Sequence, residues 1–217
     1  MFTQSHPKIY YEKTGTGKPL ILVHGNKETH KIFDKLIDEL KDSFTIYALD
    51  SRGHGQSDRV NEYHYADMAD DVLRLIEEEG IEKPSFFGFS DGGIIGILCA
   101  VKSPDKFDKI IIAGANITVN GLKTVSLLGM KLNYLITRDK LTKMMLKEPN
   151  ISISSLKKIT CPVLVLAGEW DIIKKEHTKL IAKSISNSQL IIFKHKGHGD
   201  YIVHNAFTAE TIKTFIL

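Results

Sequence analysis

The chain has 217 residues, 42% of them hydrophobic and 25% charged, with a net charge of +3. That length fits a single domain with a sizeable core, and the composition is that of an ordinary globular protein. The positive balance is scattered over lysines such as Lys157-Lys158 and Lys174-Lys175, with no basic stripe carrying interleaved aromatics, so a nucleic-acid partner is not expected.

At the N-terminus, Met1 to Tyr11 shows no charged leader followed by an apolar stretch. Lys8 to Glu12 and Leu20 to Val23 read as strands, joined by the turn Gly15-Thr16-Gly17-Lys18-Pro19 and expected to form an antiparallel edge pair. That turn resembles a phosphate loop only superficially, because its spacing is wrong and a strand, not a helix, follows it. His30 to Leu40 places Ile32, Phe33, Leu36, Ile37 and Leu40 on one helical stripe, and Phe44 to Leu49 is a strand ending at Asp50. Tyr65 to Glu79 is an amphipathic helix that stops at Gly80.

An apolar run from Pro84 to Phe89 leads through Ser90 into a helical segment, Gly92 to Val101, which holds Cys99. With Gly96 included, the apolar stretch Ile94 to Val101 is too short to span a bilayer. No stable membrane association is expected. Cys99 and Cys161 form no C-x-x-C pair, and a core of this size needs no disulfide, so a reduced, cytoplasmic setting is the expectation.

Lys109 to Ala113, Val163 to Ala167 and Leu190 to Phe193 are further strands, with helices over Lys174 to Ile185 and Asn205 to Phe215. Such alternation predicts an α/β fold with a mostly parallel sheet covered on both faces. Between Ala115 and Ser155 no strand-quality run occurs, only apolar residues spaced for one or two short helices. A crossover needs about a dozen residues, so the division expected is a core of 1–114 and 156–217 with a short helical lid over 115–155.

Ligands of open α/β sheets bind beyond the carboxyl ends of the strands, and three reactive side chains fall there. Ser90 stands in Gly88-Phe89-Ser90-Asp91-Gly92, a G-x-S-x-G pattern between strand and helix whose tight turn demands glycines at 88 and 92. Asp171 follows Val163 to Ala167, and His198 follows Leu190 to Phe193. A serine hydroxyl becomes a nucleophile when an imidazole takes its proton, and that imidazole needs a carboxylate on its other nitrogen. Glu169 and Asp200 are rival carboxylates and His195 a rival base; Asp171 and His198 are favoured. The backbone N–H groups of Asn26, after the strand Leu20 to Val23, and of Asp91, after Ser90, are the candidate oxyanion donors. His24 reads as a structural imidazole that shapes this hole.

These blocks identify the chain as similar to the α/β-hydrolase fold superfamily. The resemblance rests on Leu22-Val23-His24-Gly25, the D-x-R-G-x-G-x-S stretch Asp50 to Ser57, Gly88 to Gly93, Pro162 to Asp171 and Gly197-His198. It covers essentially the whole sequence and implies Ser90 as nucleophile, Asp171 as acid and His198 as base. Asp50 and Arg52 are expected to brace the loops around the site. The Ser-Asp-Gly-Gly stretch is similar to that of hydrolases of amino-acid esters and of some carbon–carbon bonds. The Asp91 carboxylate therefore has two readings, a charge favoured at a helix N-terminus or a pocket group for a cationic substrate.

The function expected is hydrolysis of a small carboxylic ester through an acyl-enzyme on Ser90. The alternatives are the same triad acting on a thioester, amide or carbon–carbon bond, or a ligand-binding module of low turnover. No cofactor is expected, and no metal, since neither H-E-x-x-H nor a Cys/His cluster occurs. The expected partner is a small-molecule substrate, with the protein a monomer or homodimer.

Overall fold

The structure, a computed structural model, describes residues 1–217. The strands are β1 (Tyr11–Thr14), β2 (Lys18–Val23), β3 (Phe44–Leu49), β4 (Ser85–Phe89), β5 (Ile110–Ala113), β6 (Val163–Gly168) and β7 (Ser188–Phe193). The helices are α1 (Asp34–Leu40), α2 (Tyr65–Glu78), α3 (Asp91–Lys102), α4 (Thr124–Thr137), α5 (Lys140–Lys147), α6 (Ile153–Leu156), α7 (Lys175–Ser184) and α8 (Ala209–Ile216). One seven-stranded sheet runs β1-β3-β2-β4-β5-β6-β7, parallel throughout except for β1.

Both faces of this sheet are buried, and the strand sequences show why. Along β2, Ile21 and Val23 join one apolar cluster while Leu20 and Leu22 join the other. The same alternation separates Phe86 from Phe87 in β4, Ile112 from Ile111 in β5 and Val165 from Leu164 in β6. Strands apolar on both sides need helices over both faces. Met68, Val72, Ile94 and Ile97 of α2 and α3 cover one face with Ile181 of α7; Leu36, Leu40, Ile212 and Ile216 of α1 and α8 cover the other.

The N-terminal edge corrects one expectation. β1 pairs antiparallel with β3, Tyr11 opposite Leu49, and makes no hairpin with β2. The run Leu20 to Val23 is apolar at every position and fully buried, so it takes an interior place between β3 and β4. The Gly15–Gly17 loop steps across the start of β3, with Thr16 N–H donating to Lys41 O at 3.0 Å. Two boundaries also shift: the stripe beginning at His30 is a 3₁₀ turn through Phe33 before α1 starts, and the last helix begins at Ala209.

Residues 115–155 hold a 3₁₀ turn, α4, α5 and the start of α6. The two ends of this insert meet at its base, where Ile151 N–H donates to Ile117 O at 2.9 Å and Thr118 bridges Asn150. Leu141 and Met144 of α5 anchor it to the core, whereas α4 buries no residue. No helix is long and apolar enough to cross a membrane.

Candidate active site

Strand order reverses between β2 and β4, and the crevice at such a reversal is where open α/β sheets bind ligands. The loops after β2 and β4 meet there. At the second of them the chain turns so sharply into α3 that Ser90 takes φ +54° and ψ −113°, a conformation strained for a residue with a Cβ. Its N–H is held by Ala113 O of the neighbouring strand at 2.7 Å. The turn leaves no space on either side: a Cβ at Gly88 would lie 2.1 Å from Gly92 O, and one at Gly92 would lie 2.0 Å from Val23 O.

The three predicted side chains converge. Ser90 Oγ lies 3.0 Å from His198 Nε2, and His198 Nδ1 lies 2.7 Å from Asp171 Oδ1. With the hydrogen on Nδ1, the imidazole donates to Asp171 and can accept from the serine hydroxyl. Asp171 is 3% exposed, and its carboxylate also accepts from Ile173 N–H at 3.0 Å and Gly168 N–H at 3.4 Å. Burial alone would raise this carboxyl, but the bond and charge of His198 with those two N–H donors outweigh it, and its pKa falls below the usual value. A carboxyl that ionises more readily folded than unfolded adds stability above the unfolded pKa of about 4 and loses it as pH falls through the lower folded value. Asp171→Asn is therefore expected to flatten the acid limb of stability against pH, read by urea unfolding between about pH 3 and pH 7. An unchanged acid limb would mean that Asp171 is not ionised against His198.

The rival groups turn elsewhere. Glu169 accepts from His195 N–H at 2.9 Å, and His195 stands exposed beside Trp170. Asp200 caps its own loop by accepting from Gly197 N–H. None of the three reaches the Ser90–His198 pair.

The loop after β2 is braced by groups with no place in that pair. His24 is buried; its Nδ1–H donates to Gly25 O at 2.7 Å and its Nε2 accepts from Ser51 N–H at 3.0 Å. Burial and the neighbouring His54 push its pKa down to about 3, so it is neutral and tautomerically fixed. Asp50 accepts from His30 Nδ1 at 2.7 Å and from Gln56 N–H at 2.9 Å. Arg52 forks onto Asp71 at 2.6 and 2.8 Å and reaches Asp67. The expectation that His24, Asp50 and Arg52 serve as framework agrees with these contacts.

Asp91 resolves one of its two readings. Its carboxylate is 5% exposed, accepts from Tyr65 Oη at 2.8 Å and from Asn26 Nδ2 at 3.1 Å, and does not line the cleft. Burial raises its pKa, with the two hydrogen bonds opposing. The pocket reading is thereby corrected: the side chain is occupied in tying the β2 loop to α2 and α3. The same bond fixes Asn26, and neither the Asn26 nor the Asp91 N–H has a backbone acceptor. Tyr65 was not picked out from sequence, because a tyrosine opening an amphipathic helix reads as core.

A cleft of about 560 Å³ opens over Ser90 and His198, lined also by Glu28, Phe89, Met130, Asn133, Met145 and Ile172. Glu28 is a second group missed from sequence. Its carboxylate accepts from Gly25 N–H at 2.9 Å beside Ser90, and burial raises its pKa against that bond. No cluster of His, Cys, Asp or Glu could hold a metal ion.

A family model for the alpha/beta hydrolase fold matches residues 18–133. The human protein named serine hydrolase BPHL is 28% identical over 94% of this chain and 80% of its own length. The AB hydrolase superfamily protein YisY of Bacillus subtilis is 39% identical over 52% of this chain, a match that spans only 43% of YisY. Among solved structures, an esterase from Exiguobacterium antarcticum superposes with a TM-score of 0.87 at 22% identity, covering 99% of this chain and 98% of that one. Sheet order, the strained G-x-S-x-G turn at Ser90 and the family match agree, and the chain belongs to the alpha/beta hydrolase fold family.

Proposed function

We propose that the protein hydrolyses a small carboxylic ester through an acyl-enzyme on Ser90. The observation that carries this is the unbroken hydrogen-bonded line from Ser90 through His198 to Asp171, opening onto a cleft sized for a small molecule. The names of the human and Exiguobacterium proteins, a serine hydrolase and an esterase, support the same chemistry.

In this mechanism His198 Nε2 takes the Ser90 proton as Oγ attacks the ester carbonyl carbon. The imidazolium that forms is stabilised by Asp171. The carbonyl oxygen becomes an oxyanion held by the N–H groups of Asn26 and Asp91, a contribution of about 3 kcal/mol per donor. Collapse of the tetrahedral adduct breaks the C–O bond, and His198 returns the proton to the departing alcohol. Water then attacks the acyl-enzyme, its proton passing to His198 Nε2. The acid leaves as Ser90 recovers its hydrogen.

The test is labelling by a fluorophosphonate, which traps an activated serine. One adduct on Ser90 is expected, lost in Ser90→Ala together with turnover on short p-nitrophenyl esters. Labelling at another serine with turnover retained would remove the mechanism.

A further inference from the structure

The helix that roofs the cleft turns its apolar side outward. In α4, Val125, Leu128, Leu132, Leu135 and Ile136 are 53–83% exposed and follow i, i+3, i+7, i+10, i+11, a single stripe. Thirteen large apolar side chains are exposed on the whole molecule, and five of them fall within these fourteen residues. Single exposed apolar residues are ordinary, but a contiguous stripe marks a contact surface. The other side of α4 lines the cleft through Met130 and Asn133, so the bare stripe is the outer face of a helix that walls the site.

Charge distinguishes the occupants. Residues 115–155 carry six basic side chains, Lys123, Lys131, Arg138, Lys140, Lys143 and Lys147, against Asp139 and Glu148. The insert thus nets +4 while the whole chain nets +3, so the remaining 176 residues net −1. No acidic residue lies in α4, and Asp139 is occupied in capping α5 and pairing with Lys27. A second copy of the chain would bring the same positive insert against this one, a like-charge juxtaposition that opposes self-association. An anionic lipid surface offers both missing complements, hydrocarbon for the stripe and negative headgroups for the lysines.

We propose that α4 is an interfacial helix that docks the protein reversibly on anionic membrane surfaces. Fourteen residues make a helix about 21 Å long, short of the span of a bilayer, so α4 lies in the plane of the headgroups. This is compatible with the expectation of no stable association: docking is peripheral and salt-sensitive, and it sets the helix that walls the cleft at the interface.

Co-sedimentation of the full chain with vesicles tests it. The expected result is binding to phosphatidylcholine vesicles containing about 30% phosphatidylserine, with little binding to pure phosphatidylcholine, and loss of affinity as salt rises. Leu128→Ser with Leu132→Ser should weaken binding at least about tenfold, because each leucine loses most of its transfer free energy. Lys131→Glu with Lys143→Glu should weaken it comparably. Neither pair touches the buried core, so unchanged thermal melting is expected. Absence of binding to either vesicle, or equal binding by the leucine pair, would overturn the proposal. So would a dimer in sedimentation velocity that the leucine pair abolishes, since the stripe would then be a self-contact. None of these outcomes bears on fluorophosphonate labelling of Ser90, which tests the hydrolase reading separately.

Discussion

Replacing His198 with alanine is expected to lower kcat on a small ester by on the order of 10⁴- to 10⁶-fold. The imidazole stands 3.0 Å from Ser90 Oγ and 2.7 Å from the Asp171 carboxylate, and no other titratable base shares that position. Ser90→Ala should lose about as much, and the double variant should lose little more, because the groups act as one unit. Asp171→Asn should cost on the order of 10⁴-fold, since an amide can hold the imidazole in the wrong tautomer. Steady-state kinetics with short p-nitrophenyl esters reads all four variants. A fall of less than about a hundredfold in His198→Ala would assign general-base work to another residue, and His195→Ala would then become the informative variant.

Gly92→Ala is expected to destabilise the protein by at least about 3 kcal/mol or to prevent folding. The new Cβ would meet Val23 O at 2.0 Å, Val23 C at 2.7 Å and His24 O at 2.9 Å. All three are backbone atoms of the strand and loop that carry Asn26, so no side chain can rotate away to make room. The counterpart is Gly129→Ala, where the added methyl meets nothing within 4 Å in the helix α4. There the change should be neutral or should stabilise by up to about 1 kcal/mol. Urea unfolding of both variants gives the comparison. Wild-type stability in Gly92→Ala would contradict the close packing of the elbow on β2.

Ser90, Asp171 and His198 were readable because each follows an apolar run that only a strand accommodates, which places all three at one sheet edge. The β2 position was not. A short glycine-bearing turn between two strand-like runs looks the same whether the strands pair or a third strand comes between them, and only the all-apolar character of Leu20 to Val23 hinted at an interior place. Asp91 was legible in part: its neighbours in sequence leave open a helix N-terminal charge or a pocket carboxylate, while the groups that decide between them, Tyr65 and Asn26, lie 26 and 65 residues away. The exposed stripe of α4 has the composition of a buried one, and local sequence does not tell which side a helix turns to the core.

The junction of Ile117 with Ile151 has a consequence for how such a protein changes over time. The segment distal to that neck leaves and rejoins the sheet at one place, so residues added away from its core anchors Leu141 and Met144 cost little beyond loop-closure entropy, about 0.6 kcal/mol per doubling. Ser90, His198 and Asp171 are all fixed outside the neck, on β4, β6 and β7 and the loops that follow them. Under the proposed mechanism, exchanging the segment as a cassette would rewrite substrate preference while leaving Ser90, His198 and Asp171 where they stand.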